Sequence, residues 1–442
     1  MIDGRYPTIL SFWPQSRGFA TRTAIRFNPR MEPSEVAVPI LDGEGLQVFN
    51  TLSGKLEPFN PISSNHVRIF LCGPTVQNLI HAGHARTDIF YDMVARYLKH
   101  KGYEVTLIVN MTDIDESIVE AAHQTGVTPQ AYADRYVKAF IEDAAKLGVH
   151  SITKFARVSD YIPQIMSLIS GLVAKGRAYL DGGDVYFDTT LAPHFGALSH
   201  QSPEEMSLRP TELAPSKRSL TDFKLWRSAL IDDQAWESPW GVGVPGWHIQ
   251  DVGVILTELG QQYDIHGGAR ELIYPHHEAL LAQAEGITGV APSAKYWMHT
   301  GLLTVDGKKM SKSEGNMVTV RDLVTKYGPS QLRMYFLSSH YRQDMDFDEY
   351  KLDRVDEEFW RLKDRAKLIR DKTSYRAEKG GPYVGLMPLY GALDMDFDTP
   401  SALRCVSQLV DEGARATTST AADSYYGAVL TASRILGVDF FG

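Results

Sequence analysis

From Val67 onward the chain falls into regular alternations of apolar and polar positions. Val67-Arg68-Ile69-Phe70-Leu71-Cys72 is a short, mostly apolar run that stops at Gly73-Pro74, which predicts a strand closed by a turn. A helical pattern then runs from about Gly83 to His100. Glu104-Val105-Thr106-Leu107-Ile108-Val109 is a second, β-branched strand, followed by a helix from about Asp113 to Ala122. Strand, helix, strand, helix at this spacing implies a parallel βαβ unit, whose ligand crevice lies at the carboxyl ends of its strands.

Residues from about 125 to 225 break the pattern and read as an insertion, with helices near Tyr132 to Leu147 and Tyr161 to Lys175. The α/β pattern resumes near Gly246 and runs to about Tyr335. Beyond Leu352 the periodicity is helical, with a break at Gly380-Gly381-Pro382. The expected organisation is therefore an extension over 1–45, an α/β catalytic domain over 46–335 and a helical bundle over 336–442. The first thirty residues carry Arg5, Arg17, Arg22, Arg26 and Arg30 against Asp3 and lack periodicity. A disordered extension, or a start placed upstream of Met31, accounts for them more simply than a transit peptide.

Composition changes the picture little. The 442 residues carry a net charge of −9, which gives no overall field for a polyanion. Cys72 and Cys405 are the only cysteines, which excludes a disulfide framework and fits the cytoplasm. No apolar run is long enough to span a membrane.

The candidate chemistry begins at His81-Ala82-Gly83-His84, where the first strand has ended and a helix starts. Two imidazoles flank a glycine that allows a phosphate to approach, and the helix N-terminus adds oriented N–H groups. Lys309-Met310-Ser311-Lys312-Ser313 follows a turn at Asp306-Gly307, and its lysines suit charge that develops on a leaving pyrophosphate. Either segment alone is weak evidence, because solvated histidines and basic loops are common. Both together, in this order, are far more specific.

These two segments resemble the HIGH and KMSKS signatures of class I aminoacyl-tRNA synthetases. Cys72-Gly73-Pro74-Thr75-Val76, Asn110-Met111-Thr112-Asp113-Ile114-Asp115, Gly246-Trp247-His248-Ile249, Pro275-His276-His277-Glu278, Trp297-Met298-His299-Thr300-Gly301 and Asp396-Phe397-Asp398-Thr399-Pro400 narrow the resemblance to the cysteinyl-tRNA synthetase family over roughly 65–435. The resemblance implies a Rossmann-type catalytic domain with an inserted connective region and a C-terminal helical bundle. It implies ATP with magnesium and an aminoacyl-adenylate. Gly73, Thr75, His81, Gly83, His84, Met310, Ser311 and Lys312 would contact ATP, with His81, His84, Lys309 and Lys312 catalytic. Cys72, Thr112, Trp247, Asp251 and His276 would meet the amino acid.

The chain departs from that family in two places. The family's zinc ligands map onto Cys72, Asp251, His276 and Leu280, so a thiolate has become a carboxylate and a carboxylate has become apolar. Either Cys72, Asp251 and His276 still hold zinc, or metal is absent and Asp251 meets the substrate; the weakened donor set favours no metal and an amino acid other than cysteine. Cys72 also reads as an ordinary strand-end residue, and His276 as a capping one. The second departure is the end, which is too short for an added anticodon-binding domain and carries more acids than bases after Gly380. A chain of this outline resembles mycothiol ligase, which joins cysteine to an amine. The expected activity is ligation of an amino acid to a small-molecule amine without tRNA. A tRNA-charging enzyme and a catalytically silent paralogue are the alternatives.

Overall fold

The computed structural model describes residues 45–209, 217–231, 233–310, 315–374, 383 and 385–441. The expected extension up to residue 44, Ser311, Lys312 and the Gly380-Gly381-Pro382 break lie outside these residues.

A hairpin, β1 (Gln47–Asn50) and β2 (Lys55–Pro58), leads into β3 (His66–Leu71). Then come α1 (Ala82–His100), β4 (Glu104–Met111), α2 (Glu116–Thr125), α3 (Pro129–Lys146) and β5 (Lys154–Arg157). Helix α4 (Ile162–Ala174) precedes β6 (Ala178–Asp181), β7 (Asp184–Phe187), the short α5 (Pro203–Ser207), β8 (Phe223–Ser228) and β9 (Gly243–Pro245). The α/β pattern returns with α6 (Trp247–Glu258), β10 (Tyr263–Ala269), α7 (Glu278–Thr288) and β11 (Ala294–Thr300). The rest comprises β12 (Leu303–Val305), β13 (Lys308–Lys309), α8 (Val320–Lys326), α9 (Pro329–Leu337), β14 (Met345–Phe347) and the helices α10 (Glu349–Arg370), α11 (Leu386–Asp394), α12 (Thr399–Ala414) and α13 (Ser419–Leu436).

Five parallel strands form the central sheet in the order β11-β10-β3-β4-β5. The chain runs outward from β3 to β4 and β5, then returns on the other side through β10 and β11. The order therefore reverses between β3 and β10, and a crevice opens at their carboxyl ends. Runs within the inner strands, such as Ile69-Phe70-Leu71 and Leu107-Ile108-Val109, are apolar and buried because helices cover both faces. Helix α1 is buried almost all round for the same reason, with the sheet on one side and α9 and α13 on the other.

The expected elements occur close to their expected bounds, with one correction. Lys154–Arg157 is the fifth strand of the parallel sheet, so the departure from the α/β core begins after Arg157 and not near 125. Its four residues carry charge at both ends around only two apolar positions, too short a run to stand out. The inserted region carries an antiparallel sheet, β6-β7-β8-β9, whose Phe187, Phe223 and Trp226 share one apolar cluster with α4, α6, α7 and one face of the central sheet. The C-terminal helices pack by spacing: Ala402, Leu403, Val406, Leu409, Val410 and Gly413 give α12 one buried face. The expected bundle region, 336–442, is not wholly helical, since β14 lies between α9 and α10 and pairs in parallel with β12. Among the described residues no helix is long and apolar enough to cross a membrane.

Candidate active site

The end of β3 is built around a close backbone approach. Cys72 N donates to Gly267 O of β10 at 2.9 Å, and Gly73 N donates to Asn110 Oδ1 at 2.6 Å. A Cβ on Gly73 would stand 2.0 Å from the Asn110 carbonyl oxygen, so only glycine fits. Thr75 and Thr112 then join in a parallel bridge that holds the turn beside the end of β4.

Helix α1 begins beside this turn and is capped by its own histidines. His81 Nδ1 accepts from Gly83 N at 3.0 Å, and His84 Nδ1 accepts from His81 N at 3.4 Å. The rings lie 4.0 Å apart. Burial pushes the His81 pKa down to about 4, with Lys309 adding to the shift and Glu271 opposing it; burial and His81 push His84 well below its ordinary value. Both rings are therefore neutral at pH 7. Because each Nδ1 accepts a backbone N–H, the ring proton sits on Nε2, where it can be donated to a ligand.

Lys309 lies across the crevice on β13, its Nζ 2.7 Å from a Glu271 carboxylate oxygen. The two sides are tied together further on: Ala82 N donates to Val318 O at 2.9 Å and Val320 N to Ile80 O at 3.0 Å. Between them is a cavity of about 230 Å³ lined by Cys72, Gly73, Thr75, His81, Gly83, His84, Thr112, Trp247, Lys309 and Met310, among others. The expected residues thus converge, except for Ser311 and Lys312, which lie outside the described residues, and Asp251 and His276, which lie beneath the cavity.

Asp251 and His276 are fully buried and do not line the cavity. Asp251 Oδ1 accepts from Asn110 Nδ2 at 2.8 Å, while Oδ2 lies 3.4 Å from Cys72 Sγ and 3.1 Å from His276 Nε2. Trp247 stacks on His276, with centroids 4.2 Å apart and planes 12° apart. Burial, then the neighbouring Asp251 carboxylate, pushes the Cys72 thiol well up, which keeps it protonated. Leu280 is buried and supplies no donor.

These residues suit a metal through three donors. Ligand atoms of Cys72, His276 and His277 lie within 4.8 Å of one another, and His277 Nε2 is buried without a partner. The 3.4 and 3.1 Å contacts of Asp251 suit hydrogen bonds, and also the edge of a tetrahedral site, about 3.5 Å for bonds of roughly 2.0–2.3 Å. A metal there would present a Lewis acid to a substrate side chain.

Several residues had no role assigned from sequence. Asn110 links the Gly73 turn, Asp251 and the Thr112 hydroxyl; it opened the Asn110–Asp115 segment, an amide at the end of a β-branched strand, without a role of its own. Glu271 carried no local signal, and His277 stood in the Pro275-His276-His277-Glu278 segment without a role of its own. Asp88 lines the cavity with Oδ2 unpartnered, and burial followed by the nearby Asp92 charge pushes its pKa up to about 7.

A nucleotide-sized crevice at the switch point, with a histidine-capped helix on one wall and a lysine hairpin on the other, is the architecture of class I aminoacyl-tRNA synthetases. The chain is similar in fold to Mycobacterium tuberculosis methionyl-tRNA synthetase in complex with methionyl-adenylate (TM-score 0.59, 18% identity, covering 85% of this chain and 90% of that one). In sequence it is 41% identical over 383 residues to the cysteine–tRNA ligase of Aquifex aeolicus, covering 83% of this chain and 76% of the relative. It is 39% identical over 376 residues to that of Pelotomaculum thermopropionicum, covering 83% and 78%. Residues 58–357 match the model of the class I (C) tRNA synthetase catalytic domain. The chain belongs to that family. It is an ATP-dependent ligase of the aminoacyl-tRNA synthetase type.

Proposed function

We propose that this enzyme activates a small polar amino acid other than cysteine and passes the aminoacyl group to a small-molecule amine. The observation that carries this reading is the floor of the cavity. Asp251 meets both Cys72 and His276 from below, so the one thiol at the cavity floor is backed by a carboxylate and not by a second thiol. A pocket without a paired-thiolate grip has little means to select cysteine over serine-sized rivals.

In the first half-reaction an amino-acid carboxylate oxygen attacks the α-phosphorus of ATP, and the bond to pyrophosphate breaks. Magnesium accompanies ATP in this class. The Nε2–H groups of His81 and His84 would hold phosphate oxygens, and Lys309, released from Glu271, would offset charge on the departing pyrophosphate. Lys312 has the same role by position in its motif. Catalysis rests on positioning and electrostatics, without a covalent enzyme intermediate.

The helical region supports transfer to something other than tRNA. Arg361 and Arg365 both close on Asp411, at 3.2 and 2.5 Å, which leaves these arginines occupied by an acid. Phosphate contacts supply much of the affinity for nucleic acid, and these two guanidiniums face a carboxylate instead.

The test is ATP–pyrophosphate exchange with every proteinogenic amino acid, with and without tRNA and zinc. Exchange with one amino acid other than cysteine, independent of tRNA, is the expected result. Exchange with cysteine alone, followed by charging of tRNA as the relatives' names describe, would overturn the reading. Silence throughout would bring the non-catalytic alternative forward.

A further inference from the structure

A second cavity, of about 270 Å³, lies between the start of α2, strands β8 and β9, and the start of α6. It shares a wall with the first: Trp247 lines both, and the successive residues Thr112 and Asp113 line one each.

Two independent features describe what it accepts. The first is Gln250, which is 3% exposed and lines the cavity. Its Nε2 donates to Ile114 O and Pro245 O, both at 3.2 Å. Turning the amide over would set an oxygen against two carbonyl oxygens, so the assignment is fixed. Its Oε1 is then a buried acceptor without a partner, and such a group calls for a donor. The second feature is charge. Asp113, Asp115, Glu116 and Asp233 line the cavity against Lys224 and Arg227. Arg227 is shared between Glu116 at 3.1 Å and Asp233 at 2.9 Å; outside the lining, Lys224 pairs with Asp184 at 3.1 Å and Asp113 with Arg157 at 2.9 Å, which leaves Asp115 and one of the two acids on Arg227 without a compensating base. The wall is left with negative charge in excess, which repels a phosphate and attracts a cation.

We propose that this cavity is the acceptor site, and that it takes an aliphatic primary amine carrying a second hydrogen-bond donor, either a hydroxyl or a further ammonium. The inference rests on the amide-forming reading above. The acidic wall gathers the ammonium, Gln250 Oε1 accepts from the second donor, and the amine faces the adenylate past the Trp247 indole. The amine reacts as its free base: its lone pair forms the C–N bond to the adenylate carbonyl carbon. The C–O bond to phosphate breaks, AMP leaves with that electron pair, and the extra proton on nitrogen passes to water.

The full chain, given ATP and the amino acid that supports exchange, is assayed for AMP release with ethanolamine, putrescine and glucosamine as probes. Phosphoethanolamine is the anionic counterpart. Saturable acceleration by at least one cationic probe is expected, with phosphoethanolamine poorer by about ten-fold or more in kcat/KM. Gln250→Leu tests the buried acceptor, and the more exposed Glu116→Lys keeps the test open if that variant fails to fold. Glu116→Lys is expected to raise KM for the cationic probe by about ten-fold and to narrow its advantage over phosphoethanolamine. Equal use of phosphoethanolamine, an unchanged KM in Glu116→Lys, or acceleration by tRNA alone would overturn the inference while leaving exchange intact. Loss of exchange with every amino acid would defeat the proposed function, and the inference with it.

Discussion

At the scale of single residues, the substitution that most distinguishes this site is Asp251. Its carboxylate receives Asn110 on one oxygen and faces Cys72 and His276 with the other. Asp251→Cys would restore a soft donor next to Cys72 and His276, and thiolates favour zinc over a lone carboxylate. The expected outcome is a rise in bound zinc of at least about ten-fold in affinity, with exchange shifted toward cysteine. Metal analysis by mass spectrometry and the exchange assay read the two effects separately. Unchanged zinc and unchanged selectivity would show that this position does not govern the floor. The residue pattern exposed the replacement, but not the three-way contact that gives Asp251 its effect.

At the scale of elements, a buried charge cluster joins α1, α9 and the end of α13, beside a second tie from Lys101 to Asp394 of α11 at 2.8 Å. Arg333 on α9 and Asp92 on α1 are both inaccessible, with Nη2 to Oδ2 at 2.8 Å. Asp92 also pairs with Arg96 at 2.6 Å and accepts from His150 N and Ser151 N at 3.0 and 2.9 Å. Burial works against the Asp92 charge, yet the Arg333 and Arg96 guanidiniums hold its carboxyl below the usual range. Arg333 Nε further donates to Leu436 O of α13 at 2.9 Å. Arg333→Ala leaves Asp92 with Arg96 and two backbone donors but takes away its fully buried partner and the donor to Leu436 O, so it should cost about 3 kcal/mol. Urea unfolding of the whole chain checks this, and a loss below about 1 kcal/mol would mean that the cluster is not what joins these helices. Few local signals pointed to Arg333, because an arginine in a helix is most often on a solvated face.

At the scale of the whole molecule, the active-site region concentrates buried histidines. His248, His266, His277 and His299 are held neutral by burial, His299 at about 3 and the others well below their ordinary value. Each is depressed in the folded state, so its contribution is complete above about 6.5 and is lost as pH falls toward the folded value. Between those limits each weakens folding by about 1.4 kcal/mol per pH unit. Asp88 acts in the opposite sense: raised from 3.8 to about 7, it weakens folding as pH rises through that range. Four groups outweigh one below pH 6.5. The melting temperature should therefore change little from pH 8 to 7 and fall steeply from pH 6 to 5. A flat profile down to pH 5 would show that these rings are protonated, or metal-bound, in the native protein.

The sequence by itself determined the class of fold and the phosphate-binding end of the site. His81 to His84 and Lys309 to Ser313 are each contiguous in the sequence, and strand–helix periodicity places the first beyond a strand end, at the start of a helix. It also exposed Asp251 and Leu280 as departures, because they stand at fixed offsets within continuous motifs. Tertiary structure alone decided the rest. It put β5 in the sheet, where pairing with β4 outweighs a weak local pattern. It set Asp251 and His276 beneath the cavity, brought His277 within reach of Cys72, and paired Lys309 with Glu271. It also left Gln250 Oε1 without a partner at a second cavity beside the first. Periodicity records which face of an element is buried. It does not record which distant polar group meets it there, and in a buried site that choice of partner sets charge, protonation and substrate.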